Sequence, residues 1–263
     1  CVDRDLGAQV PRARLAAHDA CTPMAYAAAV EQIRPKAPGD VELTPAIAIF
    51  VKTPGLSPIK TRLGSSVGRR IAEEWHCLPA ACFAISACAT NLPVYWAVAE
   101  ADGMQHPLWQ GLPRIGQGEG GLGARMARMH TEIVQRHGAG ILVGADLPQV
   151  ETRHLEAAAT WLDSPDARHV LGPARDGGFW LFGANRALPT STWESVTYSR
   201  DDTARRFIDA VGASSWEFLQ IMTDLDRASD LQAVLDELDS LRKPSAEQRA
   251  LARWIETQIE PDA

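Results

Sequence analysis

An apolar segment followed by a short basic loop constrains this chain more than any other feature. Residues 46–51 are apolar throughout, as expected for a parallel strand that is covered on both faces. Lys52, Lys60 and Arg62 then bring three cations into eleven residues, while prolines and a glycine delay the next helix until about Lys60. Free backbone N–H groups at a helix start, with lysine and arginine beside them, favour a bound polyanion. The pattern predicts a phosphate site; the alternative is a solvated basic turn.

Length, charge and composition limit the class of protein. With 263 residues and 46% hydrophobic residues, the chain can bury a large core, and one α/β domain with a small appendage fits this length. The net charge of −7 argues against a nucleic-acid partner, so an anion site has to be local. The sequence has neither a run of about 18 apolar residues nor the apolar core of a signal peptide. We therefore expect a cytoplasmic protein without stable membrane insertion. Because the chain starts without Met, we expect it to be a fragment or a processed form.

From about residue 44 onward, segments typical of strands and helices alternate. A long helix over residues 71–85 is expected to be kinked or interrupted at Pro79. Helices are also predicted at residues 122–134 and 152–162, and after the last strand. Strands are predicted at residues 46–51, 93–98, 141–145, 169–171, 179–182 and 218–222. This alternation predicts an α/β fold with a mostly parallel sheet flanked by helices on both faces, in which ligands bind beyond the carboxyl ends of the strands.

The chain is expected to divide into three regions. Residues 1–44 form an N-terminal extension without a recognisable chemical motif, residues 45–242 form the α/β domain, and residues 243–263 form a C-terminal helix. The motifs that carry candidate chemistry fall in the second region, which is therefore expected to carry the function.

Aspartates that follow strands are the candidate metal ligands. Asp146 comes directly after an apolar strand, and Asp224 and Asp226 follow the last strand. Mg²⁺ and Mn²⁺ usually take one or two carboxylates together with phosphate oxygens. Carboxylates near a phosphate loop therefore predict a divalent metal site, although Asp146 can alternatively cap the next helix.

Two glycine-containing motifs add further candidates. Asp176, Gly177 and Gly178 stand between two apolar strand segments, where the glycines allow a ligand to approach the backbone closely, but a plain Asp-Gly hairpin turn would have the same sequence. Residues 117–126, Gln-Gly-Glu-Gly-Gly-Leu-Gly-Ala-Arg-Met, lead into a helix and either bring backbone donors to a nucleotide or form a flexible loop. The seven histidines share no spacing and are interpreted as structural.

Taken together, these motifs resemble a family of bacterial glycosyltransferase-A-like proteins. The family was formerly labelled a domain of unknown function, includes proteins named arsenosugar-biosynthesis glycosyltransferases, and is related to molybdenum-cofactor and phospholactate nucleotidyltransferases. The resemblance covers about residues 46–232, and the order of the motifs matches as well. The similar segments are Lys52-Thr-Pro, Lys60-Thr-Arg-Leu63, Leu122-Gly-Ala-Arg-Met126, Gly144-Ala-Asp-Leu-Pro148, Gly172-Pro-Ala-Arg-Asp-Gly-Gly178 and Asp224-Leu-Asp226.

The resemblance implies a nucleotide-diphospho-sugar transferase fold and a metal-dependent glycosyltransferase that moves a sugar from a nucleotide donor to a small-molecule acceptor. Asp176 is the candidate catalytic base, and Gly177 and Gly178 are the candidate substrate contacts. The candidate phosphate- and nucleotide-binding residues are Lys52, Lys60, Thr61, Arg62, Gln117, Gly123 and Arg125. The candidate ligands of Mg²⁺ or Mn²⁺ are Asp146, Asp224 and Asp226. The chain departs from the family loop at Ser57, where the family usually has glycine.

Two other functions stay open at this point. A nucleotidyltransferase would use the same cradle for a nucleoside triphosphate, and a phosphorylated acceptor would attack the α-phosphate and release pyrophosphate. A non-catalytic nucleotide-binding protein would retain the cradle without the chemistry. A non-catalytic protein is disfavoured by the joint presence of five charged residues, because a degenerate site should have lost some of these charges. They are Lys52, Lys60, Arg62, Asp146 and Asp176.

Overall fold

The architecture is a seven-stranded sheet in the order β3-β2-β1-β4-β6-β5-β7. The computed structural model describes residues 44–212 and 215–259. Its strands are β1 (Ala46–Val51), β2 (Val94–Val98), β3 (Arg114–Gly116), β4 (Gly140–Gly144), β5 (Arg168–Pro173), β6 (Phe179–Ala184) and β7 (Ser215–Phe218). The neighbouring strands are parallel except where β6 pairs antiparallel with β4 and β5. The predicted α/β class with a mostly parallel sheet is therefore confirmed.

Helices cover both faces of this sheet. The α-helices are α1 (Thr61–Val67), α2 (Arg69–Cys88), α3 (Leu122–His137), α4 (Thr152–Leu162), α5 (Thr190–Glu194), α6 (Thr203–Val211), α7 (Leu231–Asp239) and α8 (Ala246–Ile259). Side chains alternate between the two faces along a strand, so Ile47 and Ile49 pack with α2 and α4, while Ala46 and Ala48 pack with α3, α5 and α6. Burial on both faces explains why β1 is apolar at every position.

A third apolar cluster attaches the C-terminal helices to the rest of the fold. It joins Leu63 of α1 and Trp75 of α2 to Leu235 of α7 and Ile255 of α8. The rings of Trp75 and Trp254 meet edge to face, with their centroids 4.2 Å apart. This packing holds the segment before α7 against the loop after β1. The extension predicted for residues 1–44 lies almost wholly outside the described residues.

Two sequence-based expectations are corrected. Of the kink or interruption expected at Pro79, the interruption is wrong, because helix α2 continues through this residue, while the kink stays a prediction. Its face with Ala80, Phe83 and Ala84 is fully buried against the sheet, and this burial outweighs the roughly 3 kcal/mol that an internal proline costs. The last strand lies at Ser215–Phe218, where it pairs with β5, and Met222 forms only an isolated bridge. The short edge strand β3 was not predicted, because three residues give too short a pattern.

Within the described residues, no helix combines the length and the apolarity needed to cross a bilayer.

Acid is expected to destabilise this fold through its buried histidines. Burial, aided by the nearby His169, lowers the pKa of His130 to about 3, and burial, aided by Arg153, lowers the pKa of His154 to about 4. The unfolded chain binds these protons near pH 6.5, so the stability that the neutral rings provide is complete above about pH 6.5 and is lost as the pH falls towards the folded values. For His130 alone, the expected loss is about 3 kcal/mol between about pH 7 and pH 4.

The test compares urea unfolding of the wild type and His130→Leu across this pH range. His130 lies in the core between the rings of Phe182 and Trp193, at centroid distances of 5.3 and 5.6 Å. The variant should lose less stability on acidification than the wild type, whatever its stability at neutral pH. Equal losses for the two proteins would contradict the assignment.

Candidate functional site

A deep cavity lies at the carboxyl edge of the central strands. Strands β1 and β4 are parallel and in register at Phe50 and Gly144, so the loops that follow them open side by side. They line a cavity of about 960 Å³ together with the β5–β6 turn and the segment that precedes α7. Its lining includes Lys52, Lys60, Thr61, Arg62, Gln117, Asp146, Asp176, Asp224 and Asp226. The topology therefore brings most of the predicted site residues into one cavity.

Lys60 is the centre of the cluster at the floor of this cavity. Its Nζ lies 2.8 Å from Oδ2 of Asp146 and 3.6 Å from Oδ1 of Asp224, and it also donates a hydrogen bond to the carbonyl of Leu225. The Lys60 side chain is only 5% exposed. Its backbone φ of 45° is in the left-handed region, which a non-glycine residue adopts only where the surroundings hold it. The structure thus directs this ammonium inward to the carboxylates.

The three charges of this cluster are unequally compensated. Burial opposes the charge of Lys60, but Asp146 and Asp224 outweigh burial and raise the pKa of the ammonium. Burial likewise opposes the charge of Asp146, but Lys60 and His76 hold the pKa of this carboxyl well below its usual range. Burial and the neighbouring Asp146 raise the pKa of Asp224, and Lys60 offsets this only partly. One ammonium therefore compensates Asp146 well and leaves Asp224 short of positive charge.

This shortage makes the cluster suitable for a divalent cation. Oδ1 of Asp224 is buried and has no hydrogen-bond partner among the described residues. Those residues contain no group of three His, Cys, Asp or Glu side chains that could hold a metal by themselves. Mg²⁺ and Mn²⁺ commonly bind through one or two carboxylates and complete their shell with water and phosphate oxygens. Asp146 and Asp224 fit that requirement, whereas Asp226 is engaged by Arg62, whose Nη1 lies 2.7 Å from its Oδ2.

His76 is a cavity residue that the sequence did not reveal. It lies in α2, is buried, and places Nδ1 3.1 Å from Oδ1 of Asp146. Its Nε2 accepts a hydrogen bond from the backbone N–H of Lys52 at 3.3 Å. The interpretation of all histidines as structural therefore missed this one. A polar residue within the buried part of α2 was the available signal.

Glu237 was also missed, and it fastens the segment that carries Asp224. Its Oε2 accepts from the backbone N–H of Thr223 at 3.0 Å and its Oε1 from the Thr223 hydroxyl at 2.8 Å. The same side chain accepts from Nε of Arg175 at 3.2 Å, next to the β5–β6 turn. Glu237 thereby ties two walls of the cavity together, through contacts that no local pattern predicts.

The Asp-Gly-Gly motif forms the β5–β6 hairpin turn. Oδ1 of Asp176 accepts a hydrogen bond from the N–H of Gly178 at 2.9 Å. Gly177 has φ +87°, and a Cβ there would lie 1.9 Å from the carbonyl oxygen of Asp201. The plain turn is thus realised, and Gly177 is required by backbone packing. Asp176 nevertheless lines the cavity, so its role as base stays a prediction, as do the substrate contacts of the two glycines.

The residues of the glycine-rich segment 117–126 have different positions. Gln117 lines the cavity, but its Nε2 donates to the carbonyl of Ala97 at 2.8 Å and so fastens the loop to β2. A Cβ on Gly123 would lie 2.7 Å from the carbonyl oxygen of Trp193, which gives this glycine a helix-packing role. Nε of Arg125 donates to the carbonyl of Gly120 at 2.9 Å. The described lining of the cavity includes neither Gly123 nor Arg125.

The phosphate-loop residues lie at the mouth of the cavity. Lys52, Thr61 and Arg62 are exposed and line it. Nζ of Lys52 lies 3.4 Å from the carbonyl oxygen of Pro58, across its own loop. Lys52 and Thr61 are accessible to a bound anion, Arg62 is exposed and also pairs with Asp226, and Lys60 is held among carboxylates.

Comparisons with known proteins agree with this architecture. A family model described as an uncharacterized protein conserved in bacteria (DUF2064) matches residues 83–200, a segment that contains Asp146 and Asp176. A candidate nucleotide-diphospho-sugar transferase from Desulfovibrio desulfuricans G20 is similar over 83% of this chain and 99% of that chain, with 21% identity and a TM-score of 0.68. None of the curated proteins matches the sequence significantly.

Two more distant structures have lower overall similarity. CMP:2-keto-3-deoxy-manno-octonic acid synthetase in complex with CTP is 13% identical over 73% of this chain and 96% of that one, with a TM-score of 0.45. A manganese complex of Rv0371c from Mycobacterium tuberculosis H37Rv is 11% identical over 73% of this chain and 98% of that one, with a TM-score of 0.40. The α/β fold of the present chain is therefore similar to that of the Desulfovibrio protein.

Proposed function

We propose that this protein is a divalent-metal-dependent glycosyltransferase that moves a sugar from a nucleoside-diphosphate donor to a small-molecule acceptor. The observation that carries the proposal is the Lys60–Asp146–Asp224 cluster on the floor of a cavity of about 960 Å³. A cavity of this volume is large enough for a nucleotide sugar. The likeness of the fold to the Desulfovibrio candidate nucleotide-diphospho-sugar transferase supports the same class of donor.

The residues divide into a metal-holding pair and anion-binding cations. Asp146 and Asp224 would hold Mg²⁺ or Mn²⁺, and the bound ion would neutralise charge on the departing diphosphate. Lys52 and Arg62, at the mouth of the cavity, would bind diphosphate oxygens, Arg62 by two parallel donors. These cations supply positive charge where negative charge develops on the leaving group.

Asp176 would act as the general base. It lines the same cavity from the β5–β6 turn, close enough to Asp224 to raise the pKa of that carboxyl. In the transfer step the bond between the anomeric carbon and the diphosphate oxygen breaks, and the acceptor oxygen forms a bond to the same carbon. The acceptor proton passes to the Asp176 carboxylate, and the nucleoside diphosphate leaves.

The products test this proposal directly. Purified protein is incubated with Mn²⁺, a panel of nucleotide sugars and small hydroxyl acceptors, and released nucleoside diphosphate is measured in parallel with pyrophosphate from nucleoside triphosphates. We expect metal-dependent release of a nucleoside diphosphate. Release of pyrophosphate alone, from a triphosphate and a phosphorylated acceptor, would replace this proposal by nucleotidyl transfer.

Substitutions assign the reaction to the cavity. Asp146→Asn preserves the shape of the side chain and removes its charge, and we expect turnover to fall at least about 10-fold. Glu132→Gln is the matched control, because Glu132 pairs with Arg136 on the exposed side of α3, outside the cavity lining. Full turnover in Asp146→Asn would refute the metal assignment. Equal losses in both variants would indicate a general effect of removing charge.

A further inference from the structure

His76 joins the loop that follows β1 to the carboxylate that follows β4. Its Nε2 is 3.3 Å from the backbone nitrogen of Lys52, and its Nδ1 is 3.1 Å from Oδ1 of Asp146. The imidazole is buried, and its ring meets that of Trp109 at a centroid distance of 6.4 Å. Nε1 of Trp109 donates in turn to the hydroxyl of Thr53 at 2.9 Å. The ring is therefore held from several sides by the framework of the fold.

The two hydrogen bonds determine where the proton of the imidazole lies. A backbone N–H can only donate, so Nε2 has to be the acceptor from Lys52 and carries no proton. The proton then lies on Nδ1, where it can be donated to Asp146. His76 is thus a neutral ring with one donor and one acceptor, each used by a different wall of the cavity.

The contact to Asp146 restricts how that carboxylate can turn. Lys60 binds Oδ2 and His76 binds Oδ1, so both oxygens have a fixed partner. About a quarter of the side chain, 26%, stays exposed to the cavity. Partners that orient the ligands of a metal commonly change its affinity 10- to 100-fold when they are removed.

We infer that His76 is a positioning residue that sets the orientation of Asp146 and the start of the phosphate loop through one ring. The inference rests on the metal role proposed for Asp146. It assigns to His76 no contact with substrate, and it explains why a polar ring lies in the buried part of α2. Loss of the ring should remove the link between the loop after β1 and the Asp146 carboxylate while leaving the fold in place.

Three substitutions separate the two bonds of the ring. His76→Asn retains a donor near the position of Nδ1 but cannot reach Lys52, whereas His76→Gln retains an acceptor near the position of Nε2 without a donor at Nδ1. His76→Phe removes both. His154→Asn is the control, because His154 is another buried histidine that accepts from a backbone N–H, that of Glu151, outside the cavity lining.

The measurements are Mn²⁺ affinity by electron paramagnetic resonance, UDP affinity in the presence of Mn²⁺, and the thermal midpoint. We expect Mn²⁺ binding to weaken about 10-fold in His76→Phe and His76→Gln, and to stay within about threefold of the wild type in His76→Asn and His154→Asn. UDP affinity should fall in His76→Asn, because the loop loses its bond. Nitrogen-15 NMR of the wild type should show His76 protonated at Nδ1.

The outcomes distinguish this inference from the proposed function. Equal Mn²⁺ affinity in the wild type and all three His76 variants, or a proton on Nε2, would overturn the role of His76 alone. A wild type that binds neither Mn²⁺ nor UDP would overturn both proposals. A wild type that binds both ligands but transfers no sugar would overturn only the proposed reaction. Midpoints that fall in every variant without a change in Mn²⁺ affinity would reduce His76 to a structural residue.

Discussion

Lys60→Met is expected to lower turnover by about 100-fold and, at the same time, to tighten the binding of Mn²⁺ alone. The ammonium of Lys60 contacts the carboxylates of Asp146 and Asp224, which would also coordinate a divalent cation. The two cations therefore compete for one pair of carboxylates, and methionine removes the competitor while filling similar space. Turnover should fall because the floor of the cavity loses positive charge close to where negative charge develops during the transfer.

The same variant should depend on metal for its stability. Removing one partner of a buried ion pair leaves the other charges uncompensated and costs about 3 kcal/mol or more. Mn²⁺ would restore the missing positive charge, and a ligand that binds only the folded state raises the thermal midpoint. Mn²⁺ should therefore raise the midpoint of Lys60→Met by more than that of the wild type.

Lys52→Met is the matched control for this prediction. It removes the same charge from the same loop, but from an exposed side chain whose Nζ lies 3.4 Å from a backbone carbonyl oxygen, that of Pro58. Its affinity for Mn²⁺ alone should match that of the wild type. Weaker Mn²⁺ binding in Lys60→Met would contradict competition between the two cations. Unchanged turnover would contradict any role of Lys60 in the reaction.

Gly177→Ala is expected to cost about 3 kcal/mol or more in the free energy of unfolding. The backbone of Gly177 has φ +87°, which is unfavourable for alanine, and the added Cβ would lie 1.9 Å from the carbonyl oxygen of Asp201. That oxygen belongs to a segment held by the hydrogen bond from the N–H of Ala204 to the carbonyl of Gly177, at 2.9 Å. The clash therefore has to move backbone, which is more costly than a side-chain adjustment.

Gly178→Ala provides the comparison within the same turn. Its added Cβ would lie 3.1 Å from Oδ1 of Asp176, a side-chain atom that can move. We expect a cost below about 1 kcal/mol, measured for both variants by urea unfolding. A Gly177→Ala protein with wild-type stability but no activity would mean that this glycine serves the substrate and not the turn.

How accurately a strand was predicted from the sequence depended on its position in the sheet. Strand β1 was predicted with its observed bounds, because a central strand buried on both faces has an uninterrupted apolar pattern. Among the described strands, β7 pairs with β5 alone. It was placed three residues too late, because its exposed Phe218 and the exposed Ile221 belong to no buried face. Local patterns report burial well in the centre of a sheet and poorly at its edge.

The candidate site was predictable in its residue types and much less so in its contacts. Residues that follow parallel strands converge at one edge, so the proximity of Lys60 and Asp146 was expected from alternation alone. The partners of Lys60 could not be predicted, since Leu225 is 165 positions away along the chain. His76 lies 70 positions before Asp146, and a helical pattern reports only on neighbours three or four residues apart.

The glycine at position 123 gave an ambiguous signal in the sequence. A loop that approaches a nucleotide and two helices that pack closely both require a residue without Cβ, so Gly123 was compatible with either role. The carbonyl oxygen of Trp193, 2.7 Å from the position of an added Cβ, identifies the packing role. That neighbour comes from α5, which the sequence did not predict.

The sequence by itself determined the α/β class, the central strand and the acidic and basic residues at its carboxyl edge, because periodicity and charge order are local properties of the chain. Only the tertiary structure decided which residues meet: that Lys60 lies between Asp146 and Asp224, that His76 contacts Asp146, and that the turn requires Gly177. These contacts join segments that are far apart in the chain, and their geometry arises only when the helices pack on the sheet.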